Sequence, residues 1–173
     1  MVELMVENLF ARRSVRRFTE APVTTEQRDM LLQAAMAAPS AGNRRPWHFI
    51  VVTDRETRAR LADSSPYAGM VARAPLCIVP CGEPALGIAG RPDFWVQDLS
   101  AATENLLLAA VGLGLGAVWC GIYPLPERVS AARDILGIPG DMVPFAYVAI
   151  GQPAEHPEPR TQYDPARVRH ERW

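Results

Sequence analysis

Apolar positions along this 173-residue chain change period several times, and each change marks an element. From 2 to 11, Val2, Met5, Val6, Leu9 and Phe10 fall on one helical face. Pro22 and the Thr24-x-x-Gln27 capping box open a second helix. Its Met30, Leu31, Ala34 and Ala35 are expected inward, and it stops before Pro39. Residues 40–46 read as a loop. Phe49–Thr53 predicts a buried strand, and Thr53-x-x-Glu56 is expected to cap a third helix reaching about Ala62. Leu76–Cys81 predicts a second strand, and residues 82–93 a Gly/Pro-rich loop. The longest helix is predicted from Phe94 to Leu113, with Leu99, Ala102, Leu106, Ala109, Ala110 and Leu113 on its apolar face. Ala117–Tyr123 predicts a third strand, Pro126–Leu136 a helix ended by Gly137 at C′, and Val143–Ile150 a fourth strand.

Strands and helices mingle without strict alternation, which fits a layered α+β or α/β sandwich. A length of 173 residues fits one domain, and 49% apolar with 21% charged residues is the composition of a globular protein. Residues 1–151 read as that domain. The tail from Gly151 onward has repeated prolines and no apolar period, yet it keeps Tyr163, Val168 and Trp173. Disordered segments usually lack such residues, so 152–173 is expected to be an arm that docks on a second subunit.

Net charge −1 leaves no global basic field to attract nucleic acid or an anionic membrane. The first residues lack the plan of a secretion signal, and the most apolar window, Leu106–Trp119, is too short to span a bilayer. Cys77, Cys81 and Cys120 form neither a disulfide framework nor a metal-ligand array. These features point to a reducing cytoplasm. All eighteen basic side chains are arginine, so any anion must be met by planar guanidinium forks.

Three segments could carry chemistry. Arg12-Arg13-Ser14-Val15-Arg16-Arg17-Phe18 gathers cations and a hydroxyl that suit a phosphate, although a solvated charge run at a helix C-terminus would look the same. Pro39-Ser40-Ala41-Gly42-Asn43 offers small residues and polar edges that let backbone approach a flat ligand, or else a plain helix-to-strand loop. Gly112-x-Gly114-x-x-Ala117 imitates a dinucleotide fingerprint, but these glycines close a helix and precede a strand. That is the reverse of the polarity the fingerprint needs, so the reading is rejected.

Taken in order, RRSVRRF, APSAGNRRPW, WVQDLSAATENLLLAAVGLGLGAVWCG and the IGQP…PR…ERW tail resemble the nitroreductase family in its short form, over residues 8–173. The resemblance implies a four- to five-stranded mixed sheet flanked by helices, an intertwined homodimer, and FMN in each interface cleft. It implies hydride transfer from NAD(P)H to a small organic acceptor by a ping-pong cycle. Reductive dehalogenation, oxygen-dependent flavin fragmentation or a non-catalytic flavin-binding module are alternatives on the same fold.

By the same resemblance, Arg12, Arg13, Ser14 and Arg16 would hold FMN phosphate and ribityl oxygens. Pro39, Ser40, Ala41 and Asn43 would line the flavin of the opposite subunit. Trp119, Cys120 and Gly121 would face the ring, with the Cys120 amide at N5, and Arg160 would close over the phosphate. No catalytic side chain and no metal is implied. Asp98 and Asn105 read as structural, and Phe94, Trp95 and Tyr123 as core or interface aromatics before pocket residues. Where the family loop often reads Arg-Gln-Pro-Trp, this chain has Arg44-Arg45-Pro46-Trp47, and its stretch between Cys81 and Asp98 is short.

Overall fold

A computed structural model describes residues 2–91 and 93–173, with side chains from residue 6 onward. The element order is α1 (Val2–Ala11), α2 (Thr25–Met36), β1 (Trp47–Val52), α3 (Arg55–Asp63), β2 (Leu76–Gly82), α4 (Phe94–Gly112), β3 (Gly116–Gly121), α5 (Pro126–Leu136), β4 (Val143–Pro144) and β5 (Ala146–Gly151).

Local signals explain most of the boundaries. Thr24 and Gln27 form the expected reciprocal capping box at the start of α2. Gly137 takes the left-handed conformation that ends α5. Two expectations are corrected. The cap of α3 is Asp54, not Thr53: its carboxylate accepts from the Thr57 N–H and hydroxyl, both at 2.7 Å, and its charge suits a helix N-terminus. On α2, Leu31 and Ala35 are buried as expected, but Met30 is 52% exposed, because the stripe that meets α4 is narrower than the apolar pattern. The Val2 and Met5 positions lie outside the described side chains; of the remaining stripe on α1, Val6, Leu9 and Phe10 are exposed.

The strands run β1-β2-β5-β3 across the sheet, and β4 also pairs with β2. Every pairing between these strands is antiparallel; the parallel component is confined to an isolated bridge between Ser14 and Ala117. The expected fourth strand is divided into β4 and β5. Ile78 pairs with Val148 but Cys81 with Pro144, so three residues oppose Val79 and Pro80. This is a bulge at the residue that lacks an N–H, and the Pro80 carbonyl accepts from Phe145 N–H at 2.9 Å.

Helices α2 and α4 cover one face of the sheet, around Leu31, Leu99, Leu106 and Ile78. The other face packs Leu61, Val71, Val79, Ile122 and Tyr147 beneath α3 and α5. Trp95 belongs to the core: its ring stands edge-on to Tyr123 at 4.8 Å and presses on Gly82, where an added Cβ would lie 2.3 Å from it. Cys77 and Cys81 are buried on β2 as small apolar groups. Among the described residues, no helix is long and apolar enough to cross a membrane, and no cluster of His, Cys, Asp or Glu could hold a metal ion.

Candidate active site

The arginine-rich segment follows α1 and lies along the free edge of β3. Val15 N–H donates to the Ala117 carbonyl at 3.0 Å. Gly116 permits this approach, since a Cβ there would sit 2.6 Å from a Val15 methyl. The start of the tail holds the segment from its other side. Thr19 N–H donates to Gln152 O, and Ala154 N–H to Arg17 O, both at 2.9 Å. The Glu155 carboxylate accepts from Arg16 N–H at 2.6 Å and Arg17 N–H at 3.1 Å. The bond from Arg16 N–H, above all, holds the Glu155 carboxyl below its ordinary range.

The side chains of this segment divide. Arg12 pairs with Glu104 on α4 at 3.2 Å, and an Arg13 guanidinium nitrogen donates to the Glu158 carbonyl. Arg16 is exposed and borders a cavity of about 500 Å³ with Tyr67, Met70, Trp119, Cys120 and Gly121. Arg73 and Arg128 also line it, and among the described residues no carboxylate or imidazole does. The cavity wall is therefore electropositive and lacks a conventional general base.

The end of β3 presents backbone to this cavity. Ala117 and Gly121 direct their carbonyls to Val15 N–H and Arg128 respectively, away from β5. Strand alternation then sets the N–H groups of Trp119 and Gly121 on the same outer edge and turns the backbone of Cys120 toward β5. The Gly121 amide, and not the Cys120 amide expected as a donor, is therefore the one on the outer edge. A Cβ on Gly121 would meet nothing within 4 Å, so the strand end is open to a flat group. The Cys120 thiol is buried, 3.4 Å from the Met70 sulfur. Burial raises its pKa to about 11, against the opposing charge of Arg16, so at neutral pH it is protonated and a poor nucleophile.

The loop holding Pro39, Ser40, Ala41 and Asn43 does not line this cavity in its own chain. It is fixed instead by α4: the buried Asp98 carboxylate accepts from Ala41 N–H at 2.8 Å. Ser40 Oγ accepts from Arg45 N–H at 2.9 Å, and Gly42, Asn43 and Arg45 all have positive φ, a conformation that fixes a tight turn. Asn105 donates to Ala34 O at 3.1 Å, so Asp98 and Asn105 both tie α4 to neighbouring backbone. Arg160 N–H donates to Phe10 O at 3.3 Å, which returns the tail to the end of α1.

Tyr67, Met70, Arg73 and Arg128 were not distinguishable as site residues from sequence. The first three lie in a stretch with Pro66, Gly69 and Pro75 and no period, while Arg128 looks like any exposed helix cation. The structure joins them: Arg128 donates to Gly121 O at 3.2 Å, and its guanidinium lies 5.5 Å from the Tyr67 ring centroid.

Arginines on a strand edge, a positive cavity and a backbone-lined strand end suit a flat, anionic ligand. The Nitroreductase family model matches residues 9–66 and 65–152, and the chain belongs to that family. A protein of Methanothermobacter thermautotrophicus, provisionally described as an NADH dehydrogenase/NAD(P)H nitroreductase, is 45% identical over 98% of this chain and 87% of its own. The FMN-dependent nitroreductase of Clostridium difficile superposes with a TM-score of 0.90 at 27% identity, covering 97% of this chain and 99% of its own. The NADPH:FMN oxidoreductase of Vibrio harveyi, solved with NAD+, superposes with a TM-score of 0.85 at 28% identity, over 98% and 77%.

Proposed function

We propose that the protein is the subunit of a homodimeric, FMN-dependent oxidoreductase that passes hydride from NAD(P)H to a small organic acceptor such as a nitroaromatic or quinone. The observation that carries this reading is the joining of Arg16 and the open end of β3 in one positive cavity of about 500 Å³. The residues present fit FMN: the cavity has cations, an exposed strand edge and, among the described residues, no opposing carboxylate. Arg12, Ser14 and Arg16 would hold the phosphate and ribityl oxygens, and Gly121 N–H would meet the ring edge. When bound, FMN would supply hydride acceptance from NAD(P)H and delivery to the acceptor in a ping-pong cycle.

The chain's own residues bind, orient and polarise. A permanent cation at Arg16 stabilises negative charge that gathers in the cavity, and its cost is already met in the fold. Pro39, Ser40, Ala41 and Asn43 are assigned to the partner's cleft, because in their own chain they stand apart from the cavity. The exposed Val6, Leu9 and Phe10 on α1, and Tyr163, Val168 and Trp173 on the arm, supply apolar surface for the dimer. Three unpaired, buried cysteines suit a reducing cytoplasm. Steady NAD(P)H consumption by purified protein with a nitroaromatic or quinone, and none without acceptor under anaerobic conditions, is the expected behaviour. Absence of turnover with every acceptor, in protein that binds FMN, would leave a flavin-binding module instead.

Two glycines separate fold from site. Gly116→Ala is expected to cost about 1–3 kcal/mol of stability by driving Val15 off β3, and to weaken FMN binding as Arg16 moves. Gly121→Ala should leave stability within about 0.5 kcal/mol and weaken FMN alone, because its methyl enters only the cavity. Urea unfolding beside FMN titration reads both; equal effects of Gly121→Ala on the two would contradict the assignment.

Cys120→Ser should retain turnover, and its rate should show no titration near neutral pH that the parent lacks. The thiol, raised to about 11, is protonated throughout that range. Complete loss of turnover in folded, FMN-loaded Cys120→Ser protein would make the sulfur a reactive group.

A further inference from the structure

A second cavity, of about 510 Å³, lies between α3, the loop through Phe18–Pro22 and the segment leading into β2. Arg55, Arg58 and Arg73 line it, with Glu20 as its single acidic residue. Among the described residues, no carboxylate comes within 4.0 Å of any of the three guanidinium groups. The nearby Asp54 carboxylate, whose Oδ2 accepts from the Thr57 N–H and hydroxyl, lies beyond that distance and acts on Arg58 only through its charge.

Arg58 shows that this is a built site and not a surface charge cluster. It is only 9% exposed, and one guanidinium nitrogen donates to the carbonyls of Ala74 and, at 3.4 Å, Ala72. Its Nε is buried without a hydrogen-bond partner. A desolvated cation beside a second like charge is costly unless opposite charge lies close by; the Nε itself is sealed from the cavity, so that charge would act on the guanidinium as a whole. Desolvation first, and then the charge of Arg55, hold the guanidinium below its ordinary pKa. A guanidinium nevertheless stays charged in proteins, and an anion in the cavity would offset the charge that the Ala72 and Ala74 carbonyls and Asp54 compensate only in part.

From this we infer that the Arg55–Arg58–Arg73 cavity is a binding site for a phosphate group, free or carried on a molecule of mononucleotide size. Planar guanidinium forks meet phosphate oxygens in pairs, and three of them neutralise a phosphate dianion. A volume of about 510 Å³ exceeds the needs of the anion alone and lies in the range that houses small organic ligands. Arg73 lines both this cavity and the one beside Cys120, so the two sites share a wall and an anion here would lower the positive charge felt at the other.

The test is calorimetric titration of the full-length, FMN-saturated protein with inorganic phosphate and, separately, with 5′-AMP. Saturable binding at one site per chain is expected, weakened at least fivefold by Arg55→Gln and at least tenfold by Arg58→Met. The flavin-to-protein absorbance ratio should be unchanged in Arg55→Gln. Tighter binding of 5′-AMP than of phosphate identifies a nucleotide-borne group, and equal affinity identifies free phosphate. Because Arg58 also braces Ala72 and Ala74, Arg55→Gln decides alone if Arg58→Met does not fold. Titrations without saturable heat for both probes, or affinities unaltered by Arg55→Gln, would overturn the assignment. The same titrations on protein that fails to take up FMN still read this cavity, so the two proposals fail separately.

Discussion

Deleting residues 152–173 is expected to lower FMN occupancy and to dissociate the proposed dimer together. The tail has two parts with different work. Gln152 to Glu158 is stitched to the arginine segment through Thr19, Arg17, Arg16 and Arg13, so its loss frees the residues that border the cavity. Beyond Arg160 the chain is exposed, with Tyr163 at 74% and Trp173 at 99%. Burying one such aromatic against a partner contributes roughly 1.5–3 kcal/mol. Pro157, Pro159 and Pro165 limit the entropy lost when the arm docks. Truncation after Arg160 should therefore weaken the dimer while leaving the stitching intact, whereas truncation after Gly151 should remove both. Light scattering beside the flavin-to-protein absorbance ratio distinguishes them. A chain ending at Gly151 that stays dimeric and fully loaded would show that the arm has neither role.

Arg16→Ala and Arg12→Ala should each weaken FMN binding far more than they weaken the fold. Loss of a charge-assisted phosphate contact is worth roughly 1.5–3 kcal/mol, a rise of about 10- to 150-fold in dissociation constant. Stability should change little. Arg16 is exposed, and the partly exposed pair of Arg12 with Glu104 contributes at most about 1 kcal/mol. Fluorescence titration with FMN measures the affinity and urea unfolding the stability. Unchanged FMN affinity in both variants would reduce the segment to a solvated charge run.

Much of the fold was legible because its signals are local. The Thr24–Gln27 box, the Gly137 cap and the apolar face of α4 depend on residues a few positions apart, and all three are present as expected. What was hidden depends on distant partners. The division of β4 from β5 requires knowing that Pro80 lies opposite, and the exposure of Met30 requires knowing how far α4 reaches. Thr53 and Asp54 are both good caps, and only the chain's path chooses between them.

The site shows the same division. The motif order led to the arginine segment and to the end of β3, but not to which amide faces outward. That followed from the direction of the Ala117 and Gly121 carbonyls. Tyr67, Met70 and Arg73 come from an aperiodic connection, where sequence pattern carries no information about what a loop approaches. The role of Asp98 in fixing Ala41 spans 57 positions and is visible only in three dimensions.

Flavin content tests the central claim most directly. Protein purified without added cofactor, or incubated with FMN and then desalted, should be yellow. On denaturation it should release FMN and not FAD, at about one per chain, and anaerobic NADH or NADPH should bleach the colour. Protein that is colourless after purification, and still colourless after incubation with FMN and desalting, would contradict the account.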